Sequence, residues 1–272
     1  MPKACRVSLG RMVLFGAALA LAVAARPREV GAQAARQDSL VPGSTVRIAA
    51  GPEYDAGFFH RFFFGTRYRE LWATPIEVPV LDLDTYAGGL RATRKGGGEQ
   101  TKSLRLQGVD GKEYSFRSVN KDPSGALPPE LRETAAADIV RDQTSAAHPA
   151  GALVVAPILE ALGVLHAEPR LVVMPLDSSR LGQFVAEFGG MLGTIEERPE
   201  DAADAAGFAG ASDIISTEKL LKELRDSPND RVDTRAYLSA RLVDIYLGDW
   251  DRHADQWRWA RFGDEKPHRW VP

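Results

Sequence analysis

Three runs in the first half of the chain alternate apolar and polar positions with a period of two. Residues 90–95 form the first. Residues 101–107 place Leu104 and Leu106 on one side, and residues 113–119 set Tyr114 and Phe116 against Ser115 and Arg117. This period predicts half-buried strands. Gly96, Gly97 and Gly98 separate the first two runs, and Asp110-Gly111 lies between the second and third, where Asp-Gly favours a tight hairpin. A three-stranded antiparallel meander with a glycine-rich first tip is predicted.

The pattern then changes. Pro128 and Pro129 precede a helical segment at 130–144, since proline fits the first turn of a helix. A second, apolar helix is predicted at 154–165, and two strands at 170–174 and 190–195. Residues 199–213 are acidic and alanine-rich and read as a surface excursion. A helix follows at 216–225 with Ser216 as a candidate cap, although Glu218 falls one residue short of capping-box spacing. A better-defined helix at 233–247 starts from Asp233; Leu238, Leu242, Ile245 and Tyr246 recur on one side and predict its inward face. Strand-like pieces at 257–261 and 268–271 come last. Upstream, residues 35–50 read as a linker. Residues 53–72 read as an aromatic helix or irregular arm packed on the body, with His60 a packing or surface residue.

Composition narrows the class. The chain is 44% hydrophobic and 26% charged, with a net charge of -3. That is an ordinary globular composition, and no strong field attracts nucleic acid. Lys3, Arg6 and Arg11 precede an apolar run at 12–25, and Ala32, Gln33 and Ala34 offer a small-x-small cleavage pattern. This is the layout of a secretory signal peptide over residues 1–34. The run is too short to span roughly 30 Å of hydrocarbon as a helix. The single cysteine, Cys5, lies in the expected leader, so the exported chain would carry no disulfide. Export to the periplasm or cell envelope is expected. Membrane association would come through the N-terminal segment or a region beyond the C-terminus.

The densest polar cluster is 248–256, just past the helix ending at 247. Phosphoryl transfer needs a carboxylate to orient the acceptor hydroxyl and an oxygen ligand for the metal on the nucleotide phosphates. In protein kinases an Asp and an Asn five residues on supply both; Asp251 and Gln256 have that spacing, with Gln256 a longer amide of different reach. The segment Gly248-Asp249-Trp250-Asp251-Arg252-His253 resembles the G-N-x-D-R-H catalytic segment of atypical kinases related to HipA and to the secretory-pathway Golgi casein kinase. Residues 116–124, followed by Leu131-Arg132, are similar to the spore-coat kinase CotH.

The resemblance covers roughly 85–272 and implies an α+β, two-lobed, protein-kinase-like fold. An antiparallel N-lobe sheet would occupy 85–198, and a mainly helical, partial C-lobe 199–272, after a linker and aromatic arm at 35–84. It implies Asp251 as catalytic aspartate, Arg252 and His253 as braces of the loop, Gln256 as metal ligand, and ATP with Mg or Mn as cofactor. Gly96, Gly97 and Gly98 would cover the phosphates, where glycine lets backbone N–H groups come close. Arg117 stands where the phosphate-binding cation is expected, with Lys121 and Lys102 as alternatives. The acidic partner on the following helix would be Glu133, Asp138 or Asp142, and Glu196 and Glu197 fall near the hinge.

Two departures stand out: Asp249 replaces the usual Asn, and the chain reaches Pro272 without the second metal-binding Asp, leaving Asp264 in a turn as a poor substitute. The module is therefore expected to be incomplete at its C-terminus and either active or inactive, with a protein or envelope component as substrate. A non-catalytic binding or structural module of the envelope is the alternative. A metal-dependent phosphoesterase, suggested by Gly248-Asp249 with Asp251-Arg252, lacks the histidine-rich ligand set of that chemistry. Plainer readings exist for each feature: a capped loop for 248–253, a flexible hairpin tip for the glycines, a solvent-facing strand arginine for Arg117, and core for Trp250, Trp257, Trp259 and Trp270.

Overall fold

The computed structural model describes residues 40–97, 101–200, 207–249 and 251–272. The expected leader, Gly98 and Trp250 lie outside them. Strand β1 (Thr45–Ile48) pairs antiparallel with β2 (Ile76–Pro79), so part of the segment read as a linker belongs to a two-stranded ribbon. Helices α1 (Phe58–Phe64) and α2 (Arg69–Ala73) lie between them. The predicted meander follows as β3 (Leu90–Lys95), β4 (Ser103–Gly108) and β5 (Glu113–Ser118). Then come α3 (Ala135–Asp142), capped by the Thr134 hydroxyl, and α4 (Gly151–Ala161). Strand β6 (Arg170–Val173), two single-turn helices, α5 (Ser178–Leu181) and α6 (Val185–Phe188), and β7 (Leu192–Glu197) complete the first half. Strand β7 inserts beside β5, giving an antiparallel five-stranded order β3-β4-β5-β7-β6.

The second half holds β8 (Asp213–Ser216), α7 (Thr217–Asp226), β9 (Asp230–Val232), α8 (Thr234–Leu247), β10 (Arg258–Arg261) and β11 (His268–Val271). Its strands form a sheet ordered β8-β10-β11-β9, with β9 and β11 parallel. The architecture is thus α+β. Trp259 and Trp270 sit in strands as expected, whereas β8, with Ile214 and Ile215, and β9 were not anticipated; β-branched and aromatic side chains pack well on a pleated surface. Phe208 and Ala211 are buried against Ile214 and Ala260, so the end of the acidic stretch belongs to this core rather than to a surface excursion. Both sequence-predicted caps form: the Ser216 hydroxyl accepts from Lys219 N at 3.3 Å, and Asp233 Oδ1 accepts from Ala236 N at 3.0 Å.

Register decides the main core. Leu104 faces Phe116 across β4 and β5, and Phe116 faces Ile195 across β5 and β7. All three are fully buried, with Leu83, Met174, Leu181 and Phe188 around them. Gly193 on β7 is required here: a Cβ would meet the Phe116 ring at 2.3 Å and the Arg117 carbonyl at 2.6 Å. A bare backbone is what lets that ring lie flat.

The aromatic arm is held by an ion pair. Arg69 is fully buried; Nη1 donates to Asp142 Oδ1 at 2.9 Å and Nη2 to Oδ2 at 2.6 Å. Its other donors reach the Gly65 and Tyr54 carbonyls, and His60 Nε2 lies 3.0 Å from Asp142 Oδ1. This fork clamps α1 and α2 onto the end of α3. Because His60 and Arg61 turn toward the body, Phe58, Phe59, Phe62 and Phe63 turn outward and are exposed. The reading of the arm as core is therefore corrected for these four rings; Tyr54 and Trp72 are buried as expected, and burial pushes the Tyr54 phenol up to about 12.

Helix α8 reverses its predicted orientation. Its inward side holds Ala240, Val243 and Asp244, and the Tyr237 ring meets Trp257 and Trp259. Leu238, Leu242, Ile245 and Tyr246 face outward. Asp244 is buried with Arg241 Nη1 at 2.7 Å and Arg252 Nη2 at 3.4 Å. That pairing fixes the helix rotation, since a buried carboxylate needs its partners.

Asp142→Asn leaves Arg69 as a buried charge without its counterion, and should cost about 3–5 kcal/mol in urea unfolding. Burial pushes the Asp142 carboxyl up, but the bonds from Arg69 and His60 outweigh it and hold it below the usual aspartate range. A depressed carboxylate stabilises the fold above its unfolded pKa, and that contribution is lost as pH falls through the lower folded value. The stability gap between the original protein and Asp142→Asn should close on acidification through that range and stay constant near neutrality.

Candidate functional site: the basic face beside the glycine tip

The strands that bury Leu104, Leu106 and Phe116 on one face present polar side chains on the other, because successive residues alternate sides. Ser103 lies opposite Arg117, and Arg105 opposite Ser115. Arg105 also faces Arg94 on β3. Residues directly opposite share a face, so Arg94, Ser103, Arg105, Ser115 and Arg117 form one patch, with Thr194 and Glu196 beside it on β7.

The patch is unsettled as it stands. Ser103 Oγ, Ser115 Oγ, and Arg105 Nε and Nη1 are buried without a hydrogen-bond partner. Ser115 is only 1% exposed. Burial lowers the Arg105 pKa, and the charges of Arg198 and Arg117 lower it further. Glu113 offsets part of this: burial raises its pKa, but bonds from Arg198 and Arg94 outweigh that and hold the carboxylate ionised to lower pH. Arg117 pairs with Glu196, and Arg198 Nη1 lies 2.7 Å from Glu113 Oε1. An orphaned buried donor costs about 1–3 kcal/mol, so a cluster of them is a place where an acceptor-rich ligand gains most.

At the tip end the patch opens into a cleft of about 310 Å³. Lys95, Gly96, Lys102 and Ser103 line it from the meander, Asp122, Ser124 and Arg132 from the loop after β5, and Glu187 from α6. Lys95 pairs with Glu187. Lys102 has no ion pair among the described residues. Arg132 Nε and Nη2 donate to the Leu127 and Gly125 carbonyls at 2.9 and 2.8 Å, which aims the guanidinium without neutralising it. Partial desolvation raises the Asp122 pKa, but the Ser124 hydroxyl and amide and Arg141 outweigh it and hold the carboxyl below the usual aspartate range. Gly96 packs hard on this wall: a Cβ would meet Ser103 Oγ at 2.4 Å and Ser103 Cβ at 2.8 Å.

Of the residues read as nucleotide-binding, Gly96 lines the cleft and Arg117 lies on the adjoining face. Gly97 is exposed with open space around it; Gly98 lies outside the described residues. Lys121 and Glu133 are exposed and do not line the cleft. The acidic alternatives are engaged elsewhere, Asp138 with Arg141 and Asp142 with Arg69. Glu197 pairs with Lys112 at 2.9 Å. Sequence reasoning missed Ser103, Arg105 and Ser115. Their signal was available in the polar positions of the period-two runs, which hold arginine and serine where solvent-facing strands allow any polar residue.

Gly248, Asp249 and residues 251–256 lie in the second half, past the end of α8. Gly248 closes the helix in the left-handed conformation with φ 73°. Arg252 lies 3.4 Å from both Asp244 and Asp249 and 5.0 Å over the Trp257 ring. Asp251 is exposed and has no partner among the described residues. His253 is exposed, 3.8 Å from Asp255. None of Asp249, Asp251, Arg252, His253 and Gln256 lines the cleft at Gly96. Gln256 is exposed, and no group of three His, Cys, Asp or Glu among the described residues is placed to hold a metal ion. No family model, curated protein or solved structure matches the chain.

Gly96→Ala should destabilise the fold by about 1–3 kcal/mol in chemical denaturation, because the added methyl overpacks against Ser103. Adding Ser103→Gly, which removes both colliding atoms, should recover part of the loss, and the two effects should be non-additive.

Proposed function

We propose that the chain is an exported kinase-like module that holds the polyphosphate of a nucleotide, with ATP and its Mg or Mn complex as the first candidates, against the basic face beside Gly96. The observation that carries this reading is the set of buried, partnerless donors on one sheet face, Ser103, Ser115 and Arg105, in register with Arg117 and continuous with a cleft edged by Lys102 and Arg132. Phosphate oxygens are strong acceptors, and arginine forks match them in pairs. A triphosphate laid there would supply acceptors to donors that otherwise have none.

Phosphoryl transfer asks more. A carboxylate must meet the acceptor hydroxyl in line with the terminal phosphate, and Asp251 is the residue to which the resemblance gives that role. The substrate under this reading is a protein or envelope component carrying a hydroxyl. The second reading, a binding module without catalysis, is favoured because Asp249, Asp251, Arg252, His253 and Gln256 are not among the residues that line the cleft.

The test separates the two. ATP, ADP and pyrophosphate, with and without Mg or Mn, should bind in titration calorimetry. Arg105→Met should weaken triphosphate binding about tenfold or more, the loss of one charge-assisted hydrogen bond. The same variant should match or exceed the original in thermal stability without ligand, because it removes a largely desolvated guanidinium whose nearest carboxylate, Glu113 Oε1, stands 3.8 Å from Nε, beyond hydrogen-bond reach. No binding of any phosphate compound, or a loss of stability with unchanged affinity, refutes the site. Asp251→Ala should keep the affinity and abolish phosphate transfer to a hydroxyl acceptor. Absence of transfer in the original chain with intact binding selects the second reading.

A further inference from the structure

The strand register carries the basic face further than the phosphate site uses it. Residues paired across neighbouring strands share a face. Ser103 on β4 pairs with Arg117 on β5, Arg117 with Thr194 on β7, and Thr194 with Leu171 on β6. These four residues form one row on the side of the sheet that carries the arginines. Three strand spacings of about 4.8 Å separate its ends, roughly 14 Å in all. Ser103, at one end, lines the cleft beside Gly96. Leu171, at the other, lines a second cavity of about 150 Å³.

The second cavity is apolar where the first is charged. The sheet supplies Leu171 and Leu192 to its lining, and Leu192, two residues along β7 from Thr194, shares the face of the row. Leu71 of α2, Ile76 of β2 and residues 148–150 before α4 supply the rest of the enclosure. The β1–β2 ribbon is anchored here, because Val46 and Val78 pack with Val173 and Leu192. An apolar cavity of about 150 Å³ admits a benzene-sized ring. One polar ring edges it. Ala150 N donates to His148 Nδ1 at 3.1 Å, so the proton of the neutral imidazole is on Nε2. That donor has no hydrogen-bond partner among the described residues. The Thr74 hydroxyl already donates to the Glu70 carbonyl at 2.6 Å.

A basic row that ends in an apolar cavity suits a molecule with charge at one end and a flat, weakly polar ring at the other. Mostly apolar walls with a few placed polar groups are how such rings are held. A nucleoside triphosphate has this polarity, and its extended length matches the row. We infer that the cavity between the ribbon, α2 and residues 148–150 receives the base of the nucleotide. The sugar then lies over Thr194, the phosphates run from Arg117 to Ser103, and His148 Nε2–H donates to a ring nitrogen or carbonyl. The inference rests on the phosphate-binding reading. It puts the base at the start of β7, the end opposite Glu196 and Glu197.

Titration calorimetry on the full chain with ATP and with inorganic tripolyphosphate, at equal free magnesium, isolates the base. ATP should bind about tenfold or more tighter than tripolyphosphate. Ala150→Leu, which fills the cavity, should bring ATP to the tripolyphosphate level and change tripolyphosphate affinity by less than about twofold. Leu71→Trp, at a half-exposed helix position on the rim, should do the same and serves where Ala150→Leu impairs folding. On irradiation, 8-azido-ATP should label residues 71–76 or 148–150, and excess ATP should block it. Equal affinity for ATP and tripolyphosphate, or an ATP advantage that both variants keep, overturns the inference and leaves the phosphate site standing. So does labelling outside those two segments, or a fatty acid that occupies the cavity together with bound ATP. Binding of neither phosphate compound overturns both readings.

Discussion

The register between β4 and β5 is the constraint from which the rest follows. Side chains alternate with a period of two, so a slip of one residue would carry Leu104, Leu106 and Phe116 to the outside and bring the arginines into the core. Burying those apolar side chains leaves the opposite positions no freedom: Ser103, Arg105, Ser115 and Arg117 must share the other face. The hydrophobic core and the basic patch are two sides of one pairing. Gly193 secures the next strand by leaving room for the Phe116 ring, and so brings Glu196 to the edge of the same patch.

A second constraint works from outside the sheet. Arg69 and Asp142 are far apart in sequence yet form a bidentate pair with almost no solvent access. Such a pair adds little net stability over well-packed apolar residues, but breaking it is expensive. Its role is positional. It fixes which side of α1 faces the body, and through α3 it ties the arm to the segment that carries Asp122 and Arg132. The arm and the loop lining the cleft are therefore held by one network rather than by separate patches of contact.

Much of the first half was legible in the chain because its runs are local. Period two, an Asp-Gly turn and a glycine break give the meander without reference to anything distant, and Ser216 and Asp233 act as caps within a few residues of themselves. What escaped was set by distant partners. The outward turn of the Phe58–Phe63 rings depends on His60 and Arg61 finding Asp142 and the Ala56 carbonyl. The rotation of α8 depends on Asp244 meeting Arg252, which no helical periodicity encodes. For the site, the glycine tip was visible as a motif, whereas Arg105 and Ser115 became notable only when burial showed them without partners. The resemblance directed attention to 248–256, and none of the described residues of that segment lines the cleft.

The fit of Gly193 under Phe116 bears on how this chain can change over time. An alanine there would drive a methyl into both a ring and a carbonyl, and shrinking the ring to make room would open a hole among Leu104, Ile195 and Phe188. Neither position can drift alone, and no single nucleotide change offers a compensated pair. Divergent descendants of this sheet should thus be recognisable by a bare position opposite a bulky ring on neighbouring strands, long after the arginines on the far side have been exchanged.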